Sequence, residues 1–126
     1  MIIELVPASP GGDCEAAAQA LEAVVHSWDE KLAVDRRELK ELSTEERKAI
    51  DPLSLAALIL SIPSAALAVL DLADRIRKRR RAKEIIDKAG ELRAGGDTQL
   101  YVVTVNGAIP LDAMQPDDLL DLDTPS

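Results

Sequence analysis

The sequence predicts an α+β domain in which a small sheet packs against a long, proline-kinked central helix and an N-terminal amphipathic helix. Three observations carry this. Ile2 to Val6 is a short β-prone opening closed by Pro7 and the Ser9, Pro10, Gly11, Gly12 turn cluster. Cys14, Ala17, Ala18, Leu21, Val24, Val25 and Trp28 recur at helical spacing. Gln99 to Val105, rich in Val, Tyr and Thr, is followed by Asn106, Gly107 and a returning Ala108 to Leu111, the pattern of a hairpin. The sheet is thus an N-terminal strand plus a C-terminal hairpin, with one further candidate strand.

The first helix has Asp13 as a candidate cap and Glu15 near its positive end. Lys31 to Glu38 is open between two readings: Leu32 and Val34 alternate as in a strand, whereas Leu32, Leu39 and Leu42 could continue a helix. The alternation is slightly preferred. Ser43 and Glu46 have capping-box spacing, so Thr44 to Ile50 is expected to be a short helix.

Asp51 and Pro52 are good cap and first-turn residues, and from there Leu55, Leu58, Ile62, Ala65, Val69, Leu72 and Ile76 follow at steps of three and four. The spacing predicts a helix from Asp51 to about Leu92, kinked or broken near Ser61 to Ser64 by Pro63. Unbroken from Ser64 to Leu92 it would run roughly 40 Å at about 1.5 Å per residue, against a radius of gyration of about 14 Å for a compact chain of this size. A projecting end is expected. Gly90 and the Gly95, Gly96 pair are expected to stop the helix, Pro110 to confine the return strand to an edge, and Pro116 to start an acidic helix through Leu122 with a frayed tail beyond.

With 126 residues, a single domain spanning 1–126 is expected, the acidic helix and tail taking up about 116–126. The core must be aliphatic, because there is no Phe, one Trp and one Tyr. That scarcity argues against stacking platforms for single-stranded nucleic acid. A lone cysteine excludes an internal disulfide and gives no metal-binding pair. Met1 to Val6 has no basic start and is too short for the apolar part of a signal peptide, so a cytoplasmic location is the default expectation.

Catalysis finds little footing. Cys14 falls on the apolar stripe of its helix and His26 on the polar face with Glu15, Gln19 and Glu22, so a Cys/His pair is not expected. Neither glycine pair leads from a strand into a helix with Lys and Ser or Thr, so no nucleotide loop is indicated. Asp117, Asp118, Asp121 and Asp123 lack convergent groups and read as solvated surface rather than a metal or acid/base site. No enzyme activity, cofactor or metal is expected.

The net charge of −8 conceals a strong asymmetry, since Arg75, Arg77, Lys78, Arg79, Arg80, Arg81 and Lys83 place seven cations in nine residues. Three readings compete: a solvated helix face, docking onto an acidic partner or the chain's own acidic tail, and nucleic acid or anionic lipid. Most of this acidic chain would repel a duplex. These seven residues are the candidate partner-binding site, with another copy's Asp117 to Asp123 helix as one acidic candidate. The competing function is membrane insertion, because Leu53 to Leu70 is uncharged over eighteen positions and meets a basic flank. Against it stand Pro63, the abundance of Ala and Ser, the missing aromatic belt, and Asp71 and Asp74 before the cations.

The order of strand, helix, candidate strand, long apolar helix ending in an Arg-rich run and strand pair resembles the small effector-associated constant components of bacterial conflict systems. The matching stretches are Leu53 to Leu70 passing into Arg75 to Lys83, then Leu100 to Val105, Asn106, Gly107 and Ile109 to Asp112. The resemblance implies a non-catalytic component working beside peptidase-like or nucleotide-dependent effectors in antiviral defence. The leading expectation is therefore a cytoplasmic interaction or adaptor module with a protein partner, a homo-oligomer, or both. A membrane-anchored or membrane-disrupting effector is the alternative, and an enzyme subunit a weaker third.

Overall fold

The computed structural model describes residues 1–7, 14–38, 58–96 and 98–122. In chain order these form β1 (Ile2–Pro7), α1 (Glu15–Trp28), β2 (Asp35–Glu38), β3 (Leu58–Ser61), a 3-10 turn at Ser64–Ala66, α2 (Leu72–Ala94), β4 (Thr98–Thr104), β5 (Gly107–Pro110), a second 3-10 turn at Leu111–Ala113, and α3 (Pro116–Leu120). The strands make one antiparallel sheet in the order β2-β3-β1-β4-β5. The α+β class is as the sequence predicts, and so is a long central helix carrying the basic run.

Register decides which side chains meet the helices. Ile3 lies between Leu60 and Val102, and Leu5 between Leu58 and Leu100, so these six present one apolar face. They share a single core with Ala17, Ala18, Leu21 and Val25 of α1 and Ala82, Ile85, Ile86 and Ala89 of α2. The small residues on the helices let them lie close to the sheet, which a core without Phe requires. On the opposite face Glu4, Ile59 and Val103 are also buried. At the edge, Arg36 stands beside Leu60 and reaches over to α1, pairing with Glu15 at 2.6 Å and Glu22 at 3.0 Å. A charged edge strand of this kind discourages pairing with a foreign strand.

The central element differs from its prediction. Leu58 to Ser61 is a strand held between β1 and β2, and among the described residues of this stretch the helix begins at Leu72. An inner strand covered on both faces carries a continuous apolar run rather than an alternating one, so Leu58, Ile59 and Leu60 fit a helical stripe and a buried strand equally well. Pro63 does not kink a helix. It starts the 3-10 turn, with φ −56° and ψ 139°. The helix's own start signal is Asp71, whose carboxylate accepts from Asp74 N at 2.7 Å, while Asp74 accepts from Leu70 N at 3.1 Å. Gly90 lies within α2, and the helix stops at Gly95 followed by Gly96 at φ +77°.

Lys31 to Glu38 does contain a strand, β2, but it covers only Asp35–Glu38, so Leu32 and Val34, whose alternation suggested it, precede it. The hairpin is also present, but Thr104 pairs with Gly107, so its two-residue turn is Val105 and Asn106 rather than Asn106 and Gly107. Both turn residues keep negative φ, and Gly107 takes φ +119° instead. Thr104 Oγ1 secures the turn by donating to Gly107 O at 2.8 Å and accepting from Asn106 N at 3.1 Å. Asp13, the helix over Thr44 to Ile50, the cap at Asp51 and Pro52, and the tail from Asp123 lie outside the described residues. No helix among the described residues is long and apolar enough to cross a membrane.

Candidate interaction surface on the basic helix

The structure divides the seven candidate cations among four environments. Arg75 and Arg79 face α3: Arg79 reaches Asp117 at 2.6 Å, and Arg75 reaches Asp117 and Asp121, each at 3.2 Å. The chain's own acidic helix thus docks on its own basic helix. Arg79 holds the Asp117 carboxyl below the ordinary carboxylate range. These pairs are solvent-accessible, so each contributes only about 0 to 1 kcal/mol, and Leu119, the buried residue of α3, supplies apolar anchorage.

Lys78 and Arg81 instead hold the turn that precedes the helix. Lys78 is buried and donates through Nζ to Ala65 O at 2.8 Å. Arg81 donates to Ala66 O at 3.0 Å and Trp28 O at 3.4 Å, and its guanidinium carbon lies 5.6 Å from the centre of the Trp28 ring. Trp28 Nε1 donates onward to Glu84 at 2.6 Å. Arg77 pairs locally with Asp74 at 2.6 Å. Arg80 and Lys83, both exposed, form no ion pair or side-chain hydrogen bond among the described residues. The basic run is not a projecting end, since Lys78 and Ala82 within it are buried.

Burial lowers the Lys78 ammonium below the ordinary lysine value of 10.5, with Arg81 repulsion adding to it. The sign of the pH effect follows. Below the lowered value both folded and unfolded chains carry the charge and its burial cost is fully present; as pH rises through that value toward 10.5 the folded chain sheds its proton first, and stability is gained. Lys78→Met removes this step. Denaturant midpoints of the two proteins should therefore show the parent gaining on the variant across that alkaline window, whereas a constant difference would mean that Lys78 is fully solvated.

Beside these cations lies an apolar patch, two members of which, Leu72 and Ile76, helical periodicity read as buried. Leu70, Leu72 and Ile76 are 87%, 80% and 67% exposed. Helical spacing puts Leu72 and Ile76 on the same side of α2 as Arg80 and Lys83. The solvent side of α2 thus starts apolar and becomes basic. A separate, mainly apolar cavity of about 170 Å³ has Met1, Pro63, Leu67, Leu119, Leu120 and Leu122 among its lining residues.

Cys14 and His26 are placed as their spacing predicts. Cys14 is buried, its thiol donating to Leu5 O at 3.6 Å, and His26 is exposed on α1. Among the described residues no three His, Cys, Asp or Glu side chains come together in a way that could hold a metal ion. Comparison with protein-family models, curated proteins and solved structures returned no match.

Proposed function

We propose that the chain is a non-catalytic protein–protein interaction component, an adaptor beside a peptidase-like or nucleotide-dependent effector in a bacterial defence system. The observation supporting an interaction role is the juxtaposition of exposed Leu72 and Ile76, with Leu70 just before them, and the cations Arg80 and Lys83 on one helix, the two cations having no partner among the described residues. Apolar groups supply affinity and the cations bias the choice toward an acidic partner. The same basic run loses Arg75, Arg77, Lys78, Arg79 and Arg81 to contacts within the chain, which narrows the partner surface to its solvent side. The defence setting rests on the architectural resemblance, carried by strand, helix, strand, Arg-rich helix and hairpin, with the strand β3 and a 3-10 turn over 58–70 where that resemblance has an apolar helix.

A photo-crosslinking side chain at position 76, expressed in the native host, tests this reading. A discrete protein adduct is expected there and none from the exposed control position 30. Adducts with lipid alone would favour the membrane-effector reading instead, and no adduct would remove the interaction role.

A further inference from the structure

The solvent side of α2 has a charge order that is complementary to itself. Leu72, Ile76, Arg80, Lys83, Asp87, Glu91 and Ala94 follow at steps of three and four, all exposed, running from apolar through basic to acidic and ending in a small residue. When two such helices lie antiparallel about a two-fold axis on their solvent sides, level with the midpoint between Lys83 and Asp87, Lys83 faces Asp87 of the second copy and Arg80 faces Glu91. Each contact occurs twice by symmetry. The same register sets Ile76 against the second copy's Ala94, and Leu72 toward the exposed Gly95 and Gly96, where no side chain obstructs it. In the opposite, parallel arrangement basic would face basic and acid face acid.

Asp87 makes no ion pair among the described residues, and Glu91, bound to Lys88 at 3.0 Å, is still 67% exposed at its side chain. Both acids are therefore accessible to a facing cation. We infer that the partner of this surface is a second copy of the chain, paired antiparallel through α2. This rests on the interaction-surface reading and names its occupant. One helix side against another covers less than the roughly 1,200 Å² of a standard interface, so the pair should be weak, concentration-dependent and loosened by salt.

Sedimentation equilibrium over a range of concentrations tests it. Lys83→Glu alone and Asp87→Lys alone each set like charges opposite one another twice, and each should raise the dissociation constant on the order of ten- to a hundredfold. Mixing the two variants should restore association, because both contacts then join opposite charges. Circular dichroism of each variant checks that the fold is intact, and the mixture provides its own control, since misfolded variants would not recover by mixing. A chain that stays monomeric, association that ignores either reversal, or variants that do not rescue one another would overturn antiparallel pairing. A protein adduct at position 76 from a chain that is monomeric would leave the interaction role standing while removing this partner; self-association with adducts between copies supports both.

Discussion

Leu60→Ala should lower the unfolding free energy by about 3 to 5 kcal/mol, while Leu72→Ala should leave it within about 0.5 kcal/mol. Leu60 is fully buried in β3, opposite Ile3 on one side and Arg36 on the other, in a sheet whose inner strands have no room to collapse around a lost isobutyl group. Leu72 is 80% exposed at the start of α2. A continuous helical stripe through Leu58, Ile62, Leu72 and Ile76 makes the opposite prediction, with Leu72 buried and Leu60 off the seam. The pair thus decides between strand and kinked helix without a structure determination. Since a domain of this size holds only about 5 to 15 kcal/mol in reserve, Leu60→Ala should shift the urea midpoint by a large fraction. The measurement belongs at low protein concentration, where any pairing through α2 contributes nothing.

That contrast also marks how far the fold was legible in the sequence. Two elements wrote themselves plainly: α1, with one buried side, through Ala17, Leu21 and Val25, and β4 with its returning partner through its Val, Tyr and Thr content and the turn residues that follow. The inner strand β3 did not, because burial on both sides erases the period-two signal and leaves three apolar residues that any buried element could use. The helix start at Asp71 was hidden for a different reason. Asp71 and Asp74 form a compact cap, but the earlier Asp51 and Pro52 offered a more conspicuous start to the same apolar periodicity. At the candidate site, sequence located the cations but could not divide them. Seven charges in nine residues must point all around a helix, and which meet a carbonyl, a carboxylate or water depends on elements from distant parts of the chain: Trp28, Ala65 and Ala66, and Asp117. The exposed Leu72 and Ile76 were masked by the rule that apolar stripes are buried, and exposure of such a stripe is itself the functional signal.

The division within the basic run predicts that adjacent arginines differ in stability cost: Arg81→Ala should cost about 2 to 3 kcal/mol and Arg80→Ala less than about 0.5 kcal/mol. Arg81 gives two charge-assisted hydrogen bonds, to Ala66 O and Trp28 O, and lies against the Trp28 ring. Trp28 is the last residue of α1, so the cation also meets the negative end of that helix. Its loss leaves Lys78 to hold the turn at Ser64–Ala66 alone and takes a donor from the Trp28 carbonyl at the end of α1. Arg80, one residue earlier and exposed, gives nothing among the described residues to lose. Arg81→Lys should recover only part of the loss, because an ammonium keeps the charge but cannot serve two carbonyls and an aromatic ring at once. The backbone carbonyl of Trp28 survives side-chain truncation, so a double-mutant cycle of Arg81→Ala with Trp28→Ala isolates the ring contact, expected at about 0.5 to 1 kcal/mol. Chemical denaturation of the set measures all of these. Equal, negligible costs for Arg80→Ala and Arg81→Ala would show that Arg81 is as solvated as Arg80, and would return it to the groups free to meet a partner.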